Sequence, residues 1–145
     1  AGTPSVSGLK SLGFPNMLVG TGPGSPSVLG NMVSCIEQHS GWIGACLTYL
    51  RDHRYQSIEP TIGAQDAWVD HVNDVARGDV HTAPSCNSWY LGANIPAKPR
   101  VFMPYVGGVP AYARICEEVA AKGYEGFTMT CSSSESSITR SLMKG

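Results

Sequence analysis

Three short apolar runs are what this 145-residue sequence offers as β-strands, and that shortage constrains its fold more than any other feature. They are Asn16-Met17-Leu18-Val19-Gly20, Val101-Phe102-Met103 and Phe127-Thr128-Met129-Thr130. Among them lie three longer segments of helical periodicity. The first runs from Ser27 or Asn31 to Leu50, with Met32, Ile36, Ile43, Leu47 and Leu50 at helical spacing. Arg51, His53 and Arg54 then suit the negative end of its dipole. The second runs from Ala64 to Ala76, places Trp68, Val72, Val75 and Ala76 on one face, and ends at Gly78. Its other face carries Asp66, Asp70 and Asp74, which reads as solvated rather than catalytic. The third runs from Val109 to Lys122, stacks Tyr112, Cys116, Val119 and Ala120, and has Gly123 as its C-cap. The result is an α/β chain with few short strands, three main helices and long loops. Two or three such strands make a poor sheet on their own. The expectation is a portion of a larger sheet whose other strands come from elsewhere.

Composition points the same way. At 15.4 kDa the chain can bury one core. Residues 1–12 read as an entering linker, 13–130 as the folded part, and the Ser-rich stretch 131–145 as a disordered tail. Only 14% of residues are charged, against about a quarter in typical soluble domains. Much of the surface is therefore expected to be covered by other protein. No face clusters Lys or Arg, which argues against nucleic acid. No apolar run approaches the roughly 18 residues of a membrane span, and no secretory signal pattern is present. The five cysteines form no CxxC pair, and Cys35, Cys46 and Cys116 fall in helical patterns. Reduced, buried thiols in a cytoplasmic protein are expected. The spacing of His39, His53, His71 and His81 supplies no metal site.

Two segments carry the potential for binding. The first is the run from Asn16 through Gly20-Thr21-Gly22-Pro23-Gly24-Ser25-Pro26-Ser27 into the first helix. A strand that delivers a Gly-rich turn onto a helix N-terminus gathers free N–H groups and the positive dipole end at one spot. An anion, a phosphate or the electron-rich edge of a flavin would be stabilised there. The turn is neither GxGxxG nor GxxxxGK[ST], and Gly with Pro is also an ordinary way to leave a strand. The second segment is Ser88–Arg100, with Trp89, Tyr90, Gly92, Asn94, two prolines, Lys98 and Arg100. It reads either as a connector whose Trp89 covers the core or as a binding loop. Glu37 and His39, two apart on one helix, do not face each other. Ser25, Ser27 and Ser34 lack a G-x-S-x-G context. No catalytic constellation assembles from this chain alone, which leaves a small non-catalytic binding module as one reading.

Taken in order, several segments resemble the flavin-dependent Baeyer–Villiger monooxygenases, the phenylacetone, cyclohexanone and steroid monooxygenase group in particular. They are Gly13-Phe14-Pro15-Asn16-Met17, Gly22-Pro23-Gly24-Ser25-Pro26-Ser27, Asn31-Met32 and Ile36-Glu37-Gln38-His39. Trp68-Val69-Asp70-His71-Val72-Asn73, the Ser88–Arg100 segment, Val101-Phe102-Met103 and Ala120-Ala121-Lys122-Gly123-Tyr124-Glu125-Gly126-Phe127 continue the match. It extends from about Gly13 to Thr130. The resemblance implies the C-terminal portion of a Rossmann-like FAD-binding domain that is assembled from the first and last thirds of a longer polypeptide. Both GxGxxG motifs and the arginine that stabilises the flavin peroxide are then expected upstream, and no catalytic residue in this chain.

The implied reaction uses FAD, NADPH and molecular oxygen to convert a ketone to an ester or lactone by way of a C4a-peroxyflavin. A related flavin N- or S-oxygenase shares the architecture. Carried over by motif, Asn31 and Met32 open the helix whose N-terminus meets the flavin, with Gly22 and Pro23 in the preceding turn. Pro26, Ser27, Val28, Leu29 and Met32 line the ketone pocket. Trp89, on a loop spanning 81–100, closes over the nicotinamide cofactor with its indole N–H toward the ribose, assisted by Lys98. The remaining N-terminal part of the same enzyme is the implied partner.

Overall fold

The computed structural model describes residues 8–26, 30–83 and 85–131. In chain order it has α1 (Met32–Asp52), β1 (Tyr55–Pro60), α2 (Ile62–Val75), two single 3-10 turns at Val80–Thr82 and Trp89–Leu91, α3 (Val109–Ala121) and β2 (Phe127–Cys131). β1 and β2 pair antiparallel, with Ile58 opposite Met129 and Pro60 opposite Phe127. This two-stranded ribbon is the sheet formed by the described residues. A ribbon of that size is marginal alone, and here it is backed by α1, which in turn packs against α3. The main core joins Leu9, Trp42, Cys46, Leu50, Ile58, Trp68, Val72, Tyr105, Tyr112, Cys116 and Tyr124. The Trp42 indole crosses it to donate to the Cys116 carbonyl at 2.9 Å. A smaller cluster of Ala76, Leu91 and Phe102 sits under the second 3-10 turn.

The three helices lie where the periodicity puts them, α1 starting at the later of its two expected positions. Which face of α1 turns inward differs. Cys35, His39, Trp42, Cys46 and Leu50 are buried, whereas Met32, Ile36 and Leu47 are 44%, 49% and 52% exposed. Aromatic and thiol volume, not aliphatic content, fills the space against α3. Of the expected aliphatic stripe, Leu50 is buried and Ile43 packs against the core, while Met32, Ile36 and Leu47 are left outside.

The strands depart further from expectation. Asn16–Gly20 is not a strand: Asn16 has φ 61 and Thr21 has φ 55. Instead Asn16 caps the edge of β1. Its amide N–H donates to the Ile58 carbonyl at 3.2 Å, its Oδ1 accepts the Ile58 N–H at 3.1 Å, and its Nδ2 donates to the Gln56 carbonyl at 3.0 Å. Val101–Met103 is extended but joins no sheet. β1 was not foreseen, because Tyr-Gln-Ser-Ile-Glu-Pro is half polar and ends in proline. Only Ile58 and Pro60 on its buried side are close to fully covered.

Residues 8–11, expected as the end of a linker, are packed into the molecule. Leu9 and Lys10 have no exposed surface, and the Lys10 ammonium donates to the Ile58 carbonyl at 2.7 Å. Burial lowers the Lys10 pKa. Residues 1–7 and the Ser-rich stretch beyond Cys131 lie outside the described residues. Cys35, Cys46 and Cys116 are buried and joined in no disulfide among the described residues, as their helical positions suggested. No helix among the described residues is long and apolar enough to cross a membrane.

Candidate functional site

The Gly20–Pro26 turn is fixed from four sides. Residue 8 holds it through the Gly22 N–H, which donates to the Gly8 carbonyl at 3.1 Å. The extended segment after the Ser88–Arg100 loop holds it twice, by Gly24 N–H to Met103 O at 2.7 Å and Tyr105 N–H to Ser25 O at 3.1 Å. The Cys35 thiol of α1 reaches the Pro26 carbonyl at 3.4 Å. His39, one turn further along α1, accepts the Thr21 N–H at Nδ1 at 2.9 Å. Within the turn, the Ser25 hydroxyl closes onto the Gly22 carbonyl at 2.7 Å. Gly24 has φ +90, and a Cβ added there would lie 2.6 Å from Trp68 Nε1. Only glycine meets both demands. The Trp68 indole N–H, buried over this spot, has no hydrogen-bond partner among the described residues.

Five residues on from Ser27, α1 begins at Met32. Asn31 is its N-cap, with φ −68 and ψ 114, and its Oδ1 accepts the Val33 N–H at 3.0 Å. The first turn carries no acidic residue, and Met32 and Val33 are exposed. A 21-residue helix therefore presents an uncompensated positive dipole end at the surface, beside a turn whose backbone is held. Asn31 and Met32 open the helix. Gly22 and Pro26 are buried, while Pro23 and Met32 lie at the surface. Pro23 also lines a cavity of about 240 Å³ with Lys10, Phe14, Met17 and Val19. Ser27, Val28 and Leu29 lie outside the described residues.

The Ser88–Arg100 segment is a protruding arm with an anchored base. The Ser88 hydroxyl accepts the Tyr90 N–H at 3.3 Å, Leu91 is buried, and Gly92 closes the 3-10 turn at φ 66. Trp89, against the neighbouring Tyr90 ring at 4.0 Å, remains 60% exposed. It does not cover the core; Leu91 does. Lys98 is half-buried, its stem lying across Gly92, where an added Cβ would meet Lys98 Cδ at 2.9 Å. Arm and turn are joined through one residue. The Met103 N–H donates to the Tyr90 carbonyl at 3.2 Å, and the Met103 carbonyl accepts the Gly24 N–H.

Met103, His39 and Trp68 were not singled out as site residues by sequence reasoning. His39 falls four after Cys35 and three before Trp42, on the face of α1 that the structure turns inward, a face the aliphatic spacing did not mark.

Among the described residues no group of three or more His, Cys, Asp or Glu side chains is placed to hold a metal ion. Tyr124 is pushed up to about 12, first by burial and then by the neighbouring Cys46 thiol. Tyr112 is raised for the same kind of reason. Neither phenol is set up as a proton donor or acceptor near neutral pH.

A tethered glycine turn feeds a helix N-terminus here, with an aromatic arm hung on the same backbone, and the proteins to which the chain is similar are monooxygenases. Acetone monooxygenase (methyl acetate-forming) of Gordonia sp. (strain TY-5) is 43% identical over 124 residues, 85% of this chain and 23% of its own length. Phenazine N-monooxygenase PhzNO1 of Lysobacter antibioticus is 32% identical over 125 residues, 86% of this chain and 22% of its own. A structure of oxidised steroid monooxygenase bound to NADP superposes with a TM-score of 0.81 at 42% identity, over 91% of this chain and 24% of that one. No family model matches. The chain belongs with the Baeyer–Villiger monooxygenases, as a C-terminal part of such a sequence. It spans about a quarter of the length of these relatives.

Proposed function

We propose that this chain supplies part of the cofactor and substrate corner of an FAD- and NADPH-dependent Baeyer–Villiger monooxygenase, which converts ketones to esters or lactones with molecular oxygen. The observation that carries this reading is the held Gly20–Pro26 turn opening onto the capped, acid-free N-terminus of α1. That terminus fits an electron-rich ring edge, because backbone N–H groups and the helix dipole both favour negative charge there. Bound FAD would supply oxygen activation, with NADPH as the source of electrons.

The chain's own residues bind and orient. Asn31 and Met32 face the flavin, with Gly22 and Pro23 in the turn beside it. Pro26, Ser27, Val28, Leu29 and Met32 line the ketone pocket and keep water from it. Trp89 offers its indole N–H to the nicotinamide ribose, with Lys98 beside it. The catalytic groups come from the rest of the enzyme, which docks against this chain. The exposed Met32, Ile36 and Leu47 of α1 support that docking, and buried cysteines joined in no disulfide among the described residues support a cytoplasmic setting.

The test is the complete polypeptide containing this chain, purified and offered NADPH with a cyclic ketone. Yellow protein and lactone formation are expected; colourless protein would overturn the reading. A second reading, a flavin N-oxygenase, is favoured by the similarity to the phenazine N-monooxygenase. An amine oxidised in place of the ketone would select it.

A further inference from the structure

Thr21 is the most strained residue of the turn. It is β-branched, yet it sits at φ 55 in the left-handed region, which such residues enter only when their surroundings over-determine them. One side chain from outside the turn is bonded to it. The Thr21 N–H donates to His39 Nδ1 at 2.9 Å, and His39 is 1% exposed on α1. An imidazole that accepts at Nδ1 must carry its proton on Nε2. Nε2 has no partner among the described residues, so nothing in them offers a competing tautomer. We propose that His39, as its neutral Nε2–H tautomer, is a positioning residue that holds Thr21 in left-handed backbone and thereby sets the path of the Gly20–Pro26 turn onto α1. That the turn faces a flavin rests on the function proposed above; the His39–Thr21 coupling does not.

Protonation would put a second N–H against the Thr21 N–H and abolish the bond. The titratable groups near the ring are Tyr112 of α3, in edge contact at 5.4 Å, and Cys35, one turn earlier on α1. Both are shifted up and stay neutral. Burial alone lowers the His39 pKa from the ordinary 6.5. The contribution is therefore full above pH 6.5, and it is lost as pH falls below that value and through the lowered folded one.

Two measurements on the 145-residue chain decide the matter. In long-range ¹H–¹⁵N spectra above pH 6.5, His39 should show a bare Nδ1 and a protonated Nε2; an Nδ1–H tautomer overturns the proposal. In a double-mutant cycle, His39→Gln places its amide at the Nε2 position and should raise the unfolding equilibrium constant about fivefold, the worth of one hydrogen bond. His39→Asn keeps an acceptor near Nδ1 and should recover most of that loss. Thr21→Gly keeps the backbone N–H that His39 accepts, so the His39→Gln cost should persist in its background. An unfolding equilibrium constant unchanged by His39→Gln overturns the proposal. If His39→Gln does not fold, the wild-type spectra still decide. A colourless complete enzyme would overturn the flavin reading and leave the His39 assignment to these spectra.

Discussion

The Gly20–Pro26 turn and the Ser88–Arg100 arm meet at Met103, yet they are built on opposite principles. Every side of the turn is bonded to another element, and two glycines are required by close approach. The arm is held by buried Leu91, by the Met103 N–H on the Tyr90 carbonyl and by the Arg100 guanidinium, which donates to the Cys86 carbonyl at 3.0 Å, while Trp89 between these points stays 60% exposed. The difference teaches what each can do for a ligand. A fixed turn can hold a cofactor edge in register with a helix N-terminus. An arm whose aromatic tip makes few contacts can reorient at little cost and gain contacts when a ligand arrives.

The largest effect should come from breaking the turn. Gly24→Ala places a methyl group against the buried Trp68 indole at φ +90, and strain plus overpacking should cost about 3 kcal/mol. Gly22→Ala should be comparably damaging, since its Cβ would run into the Gly8 carbonyl. A urea-denaturation midpoint measures both. Should either be tolerated at less than about 0.5 kcal/mol, the range of ordinary surface changes, the turn is not the fixed element described.

A smaller effect sharpens the same side. Asn31→Ala removes the cap that holds the Val33 N–H and should cost about 1 kcal/mol. Asn31→Asp keeps the cap and the stability. In the complete flavoprotein, however, its carboxylate would sit where the proposed function puts the ring, and the flavin reduction potential should fall. An unchanged potential would place the flavin away from this terminus.

The helices were legible in the sequence because periodicity, caps and C-terminal glycines act locally. Asn31, Gly78 and Gly123 ended their helices much as their chemistry required. What could not be read is non-local. The edge of β1 is held by an Asn16 side chain forty-two residues away, so an apolar run beginning at Asn16 looked like a strand when it is a cap. β1 itself is specified by what covers Ile58 and not by its own half-polar composition. The inward face of α1 was misjudged for a related reason. Aliphatic content signals burial only through what packs against it, and Met32, Ile36 and Leu47 face a side that the described residues do not cover. In the site, Asn31-Met32 and the glycine turn were visible as motifs. The bonds from His39 and Met103 that fix the turn were not, since each joins residues at least 18 apart.

The smallest stability effect belongs to the arm and is the most informative about function. Trp89→Ala removes a side chain that is 60% exposed and touches chiefly its neighbour Tyr90, so the denaturation midpoint should shift by no more than about 0.5 kcal/mol. Leu91→Ala, by contrast, empties the small cluster with Ala76 and Phe102 and should cost about 2–3 kcal/mol. The two residues thus separate the arm's tip from its base. In the complete enzyme, Trp89→Ala should weaken NADPH binding severalfold and lower oxygenation while FAD stays bound, because the arm reaches the turn only through backbone bonds of Tyr90, Met103 and Gly24. Those bonds survive the loss of the indole. Flavin released by Trp89→Ala would mean that the tip, and not Met103, couples the arm to the turn, and the contrast between an adaptable arm and a fixed turn would collapse.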